Sequence, residues 1–154
     1  MKPDISIRIA IPEPYGHDMA AITRIRTSVR ENHLSVAEMA AWGITPESVA
    51  DLLRSTGQAW IARLDGTDAG FVIADAANAT VFGMFVHPDC EGRGLGRRLM
   101  AEAEAWLFAR GCTELWLSTD IDRKVRAHGF YRRLGWIESG FDAHGESRYI
   151  KRRA

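Results

Sequence analysis

An apolar run at 81–86, VFGMFV, gives way within a few residues to Glu91-Gly92-Arg93-Gly94-Leu95-Gly96, after which Leu99, Met100, Ala103, Trp106 and Leu107 recur at helical spacing. The order is strand, glycine loop, helix. Glycines at 92, 94 and 96 permit positive φ and close backbone approach where a helix begins and its first N–H groups have no intrahelical partner. A helix N-terminus carries about half a positive charge, and Arg93, Arg97 and Arg98 add cations, so a phosphate or pyrophosphate suits the loop. The spacing is Gly-x-Gly-x-Gly, which is neither the dinucleotide fingerprint nor a phosphate loop followed by Lys-Ser/Thr. By itself the loop also fits a plain strand-to-helix connection with solvated arginines.

The flanking sequence supplies elements on both sides. Ile5, Ile7, Ile9 and Ile11 alternate with polar or small residues, as in a strand buried on one face, and Pro12 and Pro14 end it. Ile22, Ile25 and Val29 predict a helix over about 17–32. Thr45 as N-cap and Pro46 at the first helical position predict another over 46–53, closed by Gly57. Trp60-Ile61-Ala62 and Phe71-Val72-Ile73 flank Asp65-Gly66, which predicts a hairpin over 58–75. A short strand at 115–117, a helix over 123–134 ended by Gly135, and strands near 136–141 and 146–151 complete the chain.

At 154 residues, 46% apolar and with five Trp and six Phe, the chain is sized for one domain with a substantial core. Twenty basic residues balance twenty acidic ones, so nothing in the whole-chain charge favours nucleic acid or an anionic membrane. Cys90 and Cys112 have neither CxxC nor zinc spacing, His17 and His144 offer no ligand pattern, and His87 and His128 read as surface or strand-end residues; no metal is expected. Cys90 reads as an exposed neutral thiol. No export signal or membrane span is evident, and reduced thiols fit a cytoplasmic protein.

Two segments sharpen this reading. FVHPDCEGRGLGRRLM, 85–100, resembles the acetyl-CoA-binding motif of the GNAT N-acetyltransferases, and RAHGFYRRLGW, 126–136, resembles that family's second signature. The order of the remaining elements is also similar across nearly the whole chain. The resemblance implies an α+β fold over 1–154: a mixed, mostly antiparallel sheet of about six to seven strands, flanked by about four helices, with acetyl-CoA in a wedge between the fourth and fifth strands. It implies that backbone groups of Glu91, Gly92, Arg93, Gly94, Leu95, Gly96 and Arg97 meet the pyrophosphate. Main-chain groups of Met84, Phe85 and Val86 would pair with the pantetheine arm. Ala127 and Phe130 would join Tyr131 against the wedge; 127, 130, 131 and 134 share one helix face. Tyr131 would act as the general acid that protonates the departing thiolate. Acetyl would pass by direct attack to a primary amine, on a small molecule or a peptide.

Three positions depart from the family pattern. Glu91 stands where Gln or Arg is usual, placing a carboxylate beside the pyrophosphate unless it turns toward Arg93 or Arg97. Lys124 replaces a frequent Asn at the cofactor, and Thr119 sits where some members place a basic Glu. The amine's proton could leave through the neighbouring Asp120, through Glu31 or through ordered water. Arg30, Glu31 and Asn32, beside His33, form a polar cluster that either reads the acceptor or is a solvated helix end. The departures also leave open a catalytically silent acyl-CoA-sensing module, and the loop alone leaves open phosphate binding unrelated to coenzyme A. Protection of sheet edges gives a physical motive for a homodimer.

Overall fold

A computed structural model describes residues 3–13, 16–29, 33–122 and 126–154. Seven strands, β1 (Ile5–Ile9), β2 (Gly57–Leu64), β3 (Thr67–Asp75), β4 (Thr80–Val86), β5 (Glu114–Thr119), β6 (Ile137–Phe141) and β7 (Ser147–Arg152), form one sheet in the order β1-β2-β3-β4-β5-β7-β6. Every neighbouring pair is antiparallel except β4 and β5, which are parallel. Five helices accompany it: α1 (His17–Ser28), α2 (Val36–Ala41), α3 (Pro46–Ser55), α4 (Leu95–Ala109) and α5 (Ala127–Arg133).

The sheet separates two cores. On one face, Leu99, Met100, Ala103 and Leu107 of α4 pack with Val72, Leu115, Leu117 and Tyr131. On the other, Met19, Ile22 and Ile25 of α1 and Val49 of α3 pack with Ile61, Phe71 and Ile73. The β2–β3 turn forms at the expected dipeptide, with Asp65 at φ 50° and Gly66 at φ 83°, so that both central residues are left-handed as a tight hairpin needs.

Several boundaries differ from expectation. The first strand ends at Ile9, and Ile9 and Ile11 are exposed while Ala10 is buried, because β1 is an edge strand and the chain turns into the Pro12 segment. Helix α1 stops at Ser28, where Val29 is extended. Gly57 begins β2 instead of closing α3, whose C-cap is Thr56. A helix absent from the sequence reading, α2, starts with a reciprocal capping box between Ser35 and Glu38. Thr45 and Pro46 open α3 as expected. Helix α5 begins at Ala127 among the described residues.

An ion cluster fixes α1 against the sheet. Arg8 of β1 donates from Nη1 to Asp68 of β3 at 2.8 Å and from Nη2 to Asp18 of α1 at 2.8 Å. The other Asp18 oxygen accepts the Ile11 N–H at 2.8 Å. Among the described residues, no helix is long and apolar enough to cross a membrane, and no group of three or more His, Cys, Asp or Glu side chains is placed to hold a metal ion.

Candidate active site

The parallel β4–β5 pair touches at one register position, Thr80 with Trp116. The Trp116 N–H donates to the Ala79 carbonyl at 3.0 Å, and the Thr80 hydroxyl donates to the Trp116 carbonyl at 2.7 Å. Beyond that joint the strands part, so β4 from Gly83 to Val86 presents an unpaired edge. The opening continues into a cavity of about 1390 Å³ that reaches from the glycine loop to α1, α2 and the β6–β7 turn.

The loop forms the open end. Gly92 and Gly94 adopt φ 76° and 82°, and no atom lies within 4 Å of where a Cβ would be on either. Gly94 is the N-cap of α4, with no side-chain cap bond and no acidic residue in the first turn, which leaves the leading N–H groups for an external acceptor. Gly96 is glycine for a different reason: a Cβ there would lie 3.1 Å from Phe130 Cζ and 3.4 Å from Met84 Cε. Leu95 turns inward and is buried in the α4 core. Arg97 lines the cavity; the Arg93 side chain is exposed and lies outside its lining. The Glu91 carboxylate turns toward neither Arg93 nor Arg97: it pairs with Arg126 at 2.7 Å. Cys90 is half-buried rather than exposed.

Met84, Phe85 and Val86 line the cavity from the strand, and Ala127, Phe130, Tyr131 and Leu134 from α5, together with Thr119 at the end of β5. The α5 face is pinned from both ends. Trp136, just past the helix, donates its indole N–H to Glu104 of α4 at 3.1 Å. His128, read from sequence as a surface or strand-end residue, is buried: its Nε2 donates to the Asp120 carbonyl at 2.7 Å, and its Nδ1 lies 2.7 Å from the Tyr149 hydroxyl. The Tyr131 ring sits among Phe130, Trp136 and Tyr149, with centroids 5.2, 6.3 and 6.1 Å away. Burial pushes its phenol well above the ordinary value.

Asp120 stands apart from these groups. Its carboxylate accepts the Asp122 N–H at 2.9 Å, and it lines a smaller adjoining pocket with His33, Trp42, Ile121, His144 and Glu146. His33 Nδ1 lies 2.9 Å from the Val29 carbonyl at the end of α1. Arg30, Glu31, Asn32 and Lys124 lie outside the described residues. Helix α1 nevertheless reaches the cavity through Met19, Ile22, Arg26 and Val29, and Arg26 stacks its guanidinium 4.0 Å over the Phe85 ring. The sequence reading passes over Arg26, Ser118 and Glu146, all in the lining. A signal for Arg26 does exist, since 19, 22, 26 and 29 form one helical stripe in which it is the only polar member.

The wall between the two pockets is built from Trp42 and His144, whose rings stack at 4.7 Å and within 4° of parallel. Glu146 faces both pockets. Burial, with Asp142 and Asp120 nearby, raises its carboxyl above the ordinary value.

Comparison with known proteins agrees with this arrangement. Residues 17–136 match the model of the acetyltransferase (GNAT) family. An aminoglycoside N(6')-acetyltransferase type 1 of Stenotrophomonas maltophilia is 29% identical over 127 residues, which cover 67% of this chain and 82% of that protein. The fold is shared with a GNAT-family acetyltransferase from Desulfovibrio desulfuricans, at TM-score 0.77 and 20% identity over 98% of this chain and 100% of the other. It is shared also with the PaiA N-acetyltransferase of Thermoplasma acidophilum, solved with coenzyme A, at TM-score 0.70 and 16% identity over 97% and 99% of the two chains. With the family model covering most of its length and both sequence signatures facing one wedge in the sheet, this chain belongs to the GNAT family of acetyltransferases.

Proposed function

We propose that the protein transfers acetyl from acetyl-CoA to a primary amine by direct attack, with Tyr131 protonating the departing sulfur. The observation that carries this reading is the single joint between β4 and β5, which opens a strand edge between the glycine loop at one end and Tyr131 in the wall. The leading N–H groups of α4 hold the pyrophosphate, and main-chain groups from Met84 to Val86 pair with the pantetheine arm as a neighbouring strand would. Side chains at Ala127 and Phe130 shape the wedge. The Glu91–Arg126 pair supports coenzyme A binding, because it offsets the carboxylate that would otherwise repel the phosphates.

In the reaction a nitrogen–carbon bond forms as the carbon–sulfur bond breaks. The amine loses its extra proton to a base or to water, and the phenol supplies a proton to the thiolate and recovers one from solvent. Asp120 stands off the wedge on this reading, since its carboxylate accepts the Asp122 N–H and lines the adjoining pocket.

The test is acetyl-CoA binding by calorimetry, followed by thiol release in the presence of primary amines. Saturable binding with amine-dependent release supports the transferase; binding with no release above background supports the sensor, and no heat on mixing sinks both. Gly94 offers a sharper check. Placing valine at φ 82° costs about 1–2 kcal/mol of backbone strain and turns the loop N–H groups aside, although nothing crowds the new Cβ. Gly94→Val is expected to weaken acetyl-CoA binding at least about tenfold. Gly111→Ala, at φ 95° near the far end of α4, supplies comparable strain and leaves the dissociation constant unchanged.

A further inference from the structure

One buried side-chain nitrogen, Arg26 Nη1, has no hydrogen-bond partner among the described residues; it shares a cavity with Ser118, whose hydroxyl is turned to the Asp142 carboxylate. They also lie on one face of the sheet. Along β5, Leu115, Leu117 and Thr119 are buried toward α4, so the alternation turns Ser118 to the opposite side. Along β4, Met84 packs with the α4 core, whereas Phe85 packs with the α1 core and carries Arg26 over its ring. Arg26 and Ser118 therefore address the side of the wedge away from the α4 core, where an acceptor can approach the thioester.

The chemistry of this face is specific. Arg26 is largely withdrawn from water and forms no ion pair among the described residues, and desolvation works against its charge. A buried guanidinium with an unused N–H is poorly stabilised until an anion or a carbonyl oxygen meets it. Phe85 supplies only its ring face, a weaker partner. Glu146 stands in the same cavity, close enough to Arg26 for each to feel the other's charge but with no hydrogen bond between them. The face therefore offers one cationic donor and one carboxylate, with Asp142, Asp120 and His144 around the carboxylate.

Resting on the transferase reading above, we propose that the acceptor is a zwitterion, an amine bearing a carboxylate. Its carboxylate is met by Arg26, and its amino group is turned toward Glu146. A polyamine or an aminoglycoside would bring further positive charge to Arg26 and leave its Nη1 without an acceptor. A free amino acid or a small peptide supplies both charges at once.

The experiment compares amino acids with their carboxamides and their decarboxylated amines, at saturating acetyl-CoA, by thiol release. A charge-assisted contact predicts that the acid exceeds its uncharged counterparts by about 10–100-fold in kcat/KM. Arg26→Met is expected to bring the acid down to the level of its carboxamide, and Arg26→Lys to retain part of the preference. Calorimetric titration of the same acids into coenzyme A-loaded protein reads the discrimination without turnover. Preference for polyamines or aminoglycosides, or equal losses for acid and carboxamide in Arg26→Met, overturns the assignment. Normal acetyl-CoA binding with no acid bound or acetylated overturns it alone, whereas failure to bind acetyl-CoA removes the transferase reading beneath it.

Discussion

Tyr131→Phe is expected to lower kcat by about 10²–10⁴-fold, the usual contribution of a positioned acid, while acetyl-CoA affinity stays within about twofold. The substitution removes one oxygen and keeps the ring, so the packing against Phe130, Trp136 and Tyr149 survives and the wedge keeps its shape. The apolar surroundings that raise the phenol also raise the basicity of a thiolate formed beside it, which keeps donor and acceptor matched although a free thiol titrates near 8.5. Because the phenol lies above its ordinary value, its ionisation should produce no alkaline fall in kcat below about pH 10. Pre-steady-state thiol release, compared for an alkylamine and a more acidic aryl amine, separates this role from a packing role. A loss confined to the bond-breaking step supports the acid. Unchanged turnover in Tyr131→Phe, or a loss carried entirely by the acetyl-CoA dissociation constant, defeats it.

How far such a site can be read in sequence depends on whether the constraint is local. The glycine loop was legible because positive φ at Gly92 and Gly94 is a demand of the backbone itself, and the hairpin was legible for the same reason at Asp65-Gly66. Gly96 looked like its neighbours but answers to Phe130, some thirty residues on, so its reason was hidden. The Ser35–Glu38 capping box was a printed signal for α2; a six-residue helix that buries only Met39 has no periodicity to reinforce it. His128 failed differently. Its burial depends on Tyr149 and the Asp120 carbonyl, which only the pairing of distant strands brings together. Glu146 is likewise defined by its surroundings. In sequence it is one carboxylate in a polar turn, and its raised carboxyl arises from burial beside Asp142 and Asp120. The proposed cofactor half of the site is built mostly from backbone, which leaves a local mark in sequence; the proposed acceptor half is built from side chains on α1 and the β6–β7 turn, which do not.

The dependence of that acceptor half on α1 leads to the second large effect. Asp68→Ala is expected to destabilise the fold by about 2–4 kcal/mol, somewhat less than for a fully buried pair because Arg8 keeps 34% of its side-chain surface and can be rehydrated. The Asp68 carboxylate, only 5% exposed, accepts from Arg8 at 2.8 Å and from Arg63 Nε at 2.9 Å, and removing it strands two cations. For a chain of this size the melting temperature should fall by roughly 5–12 °C. These hydrogen bonds, Arg8 foremost, hold the Asp68 carboxyl down at about 2, below the ordinary value near 4. Its folded value is the lower one, so the stabilisation is complete above about pH 4 and is lost as pH falls toward and through about 2. Asp18, also lowered despite its burial, adds in the same direction. Denaturant titrations between pH 7 and pH 2 should therefore show wild-type stability declining more steeply than that of Asp68→Ala, with the two curves converging at the acid end. Parallel curves would mean that Asp68 contributes through packing and not through charge. The same variant reports on function, because Arg8 joins Asp68 to Asp18 at the first turn of α1, and that helix carries Arg26 over Phe85. Loosening it should raise KM for the amine about 3–10-fold while leaving KM for acetyl-CoA, held by backbone on the far side of the sheet, nearly unchanged. An equal rise in both would mean that α1 is not independently positioned by the ion cluster.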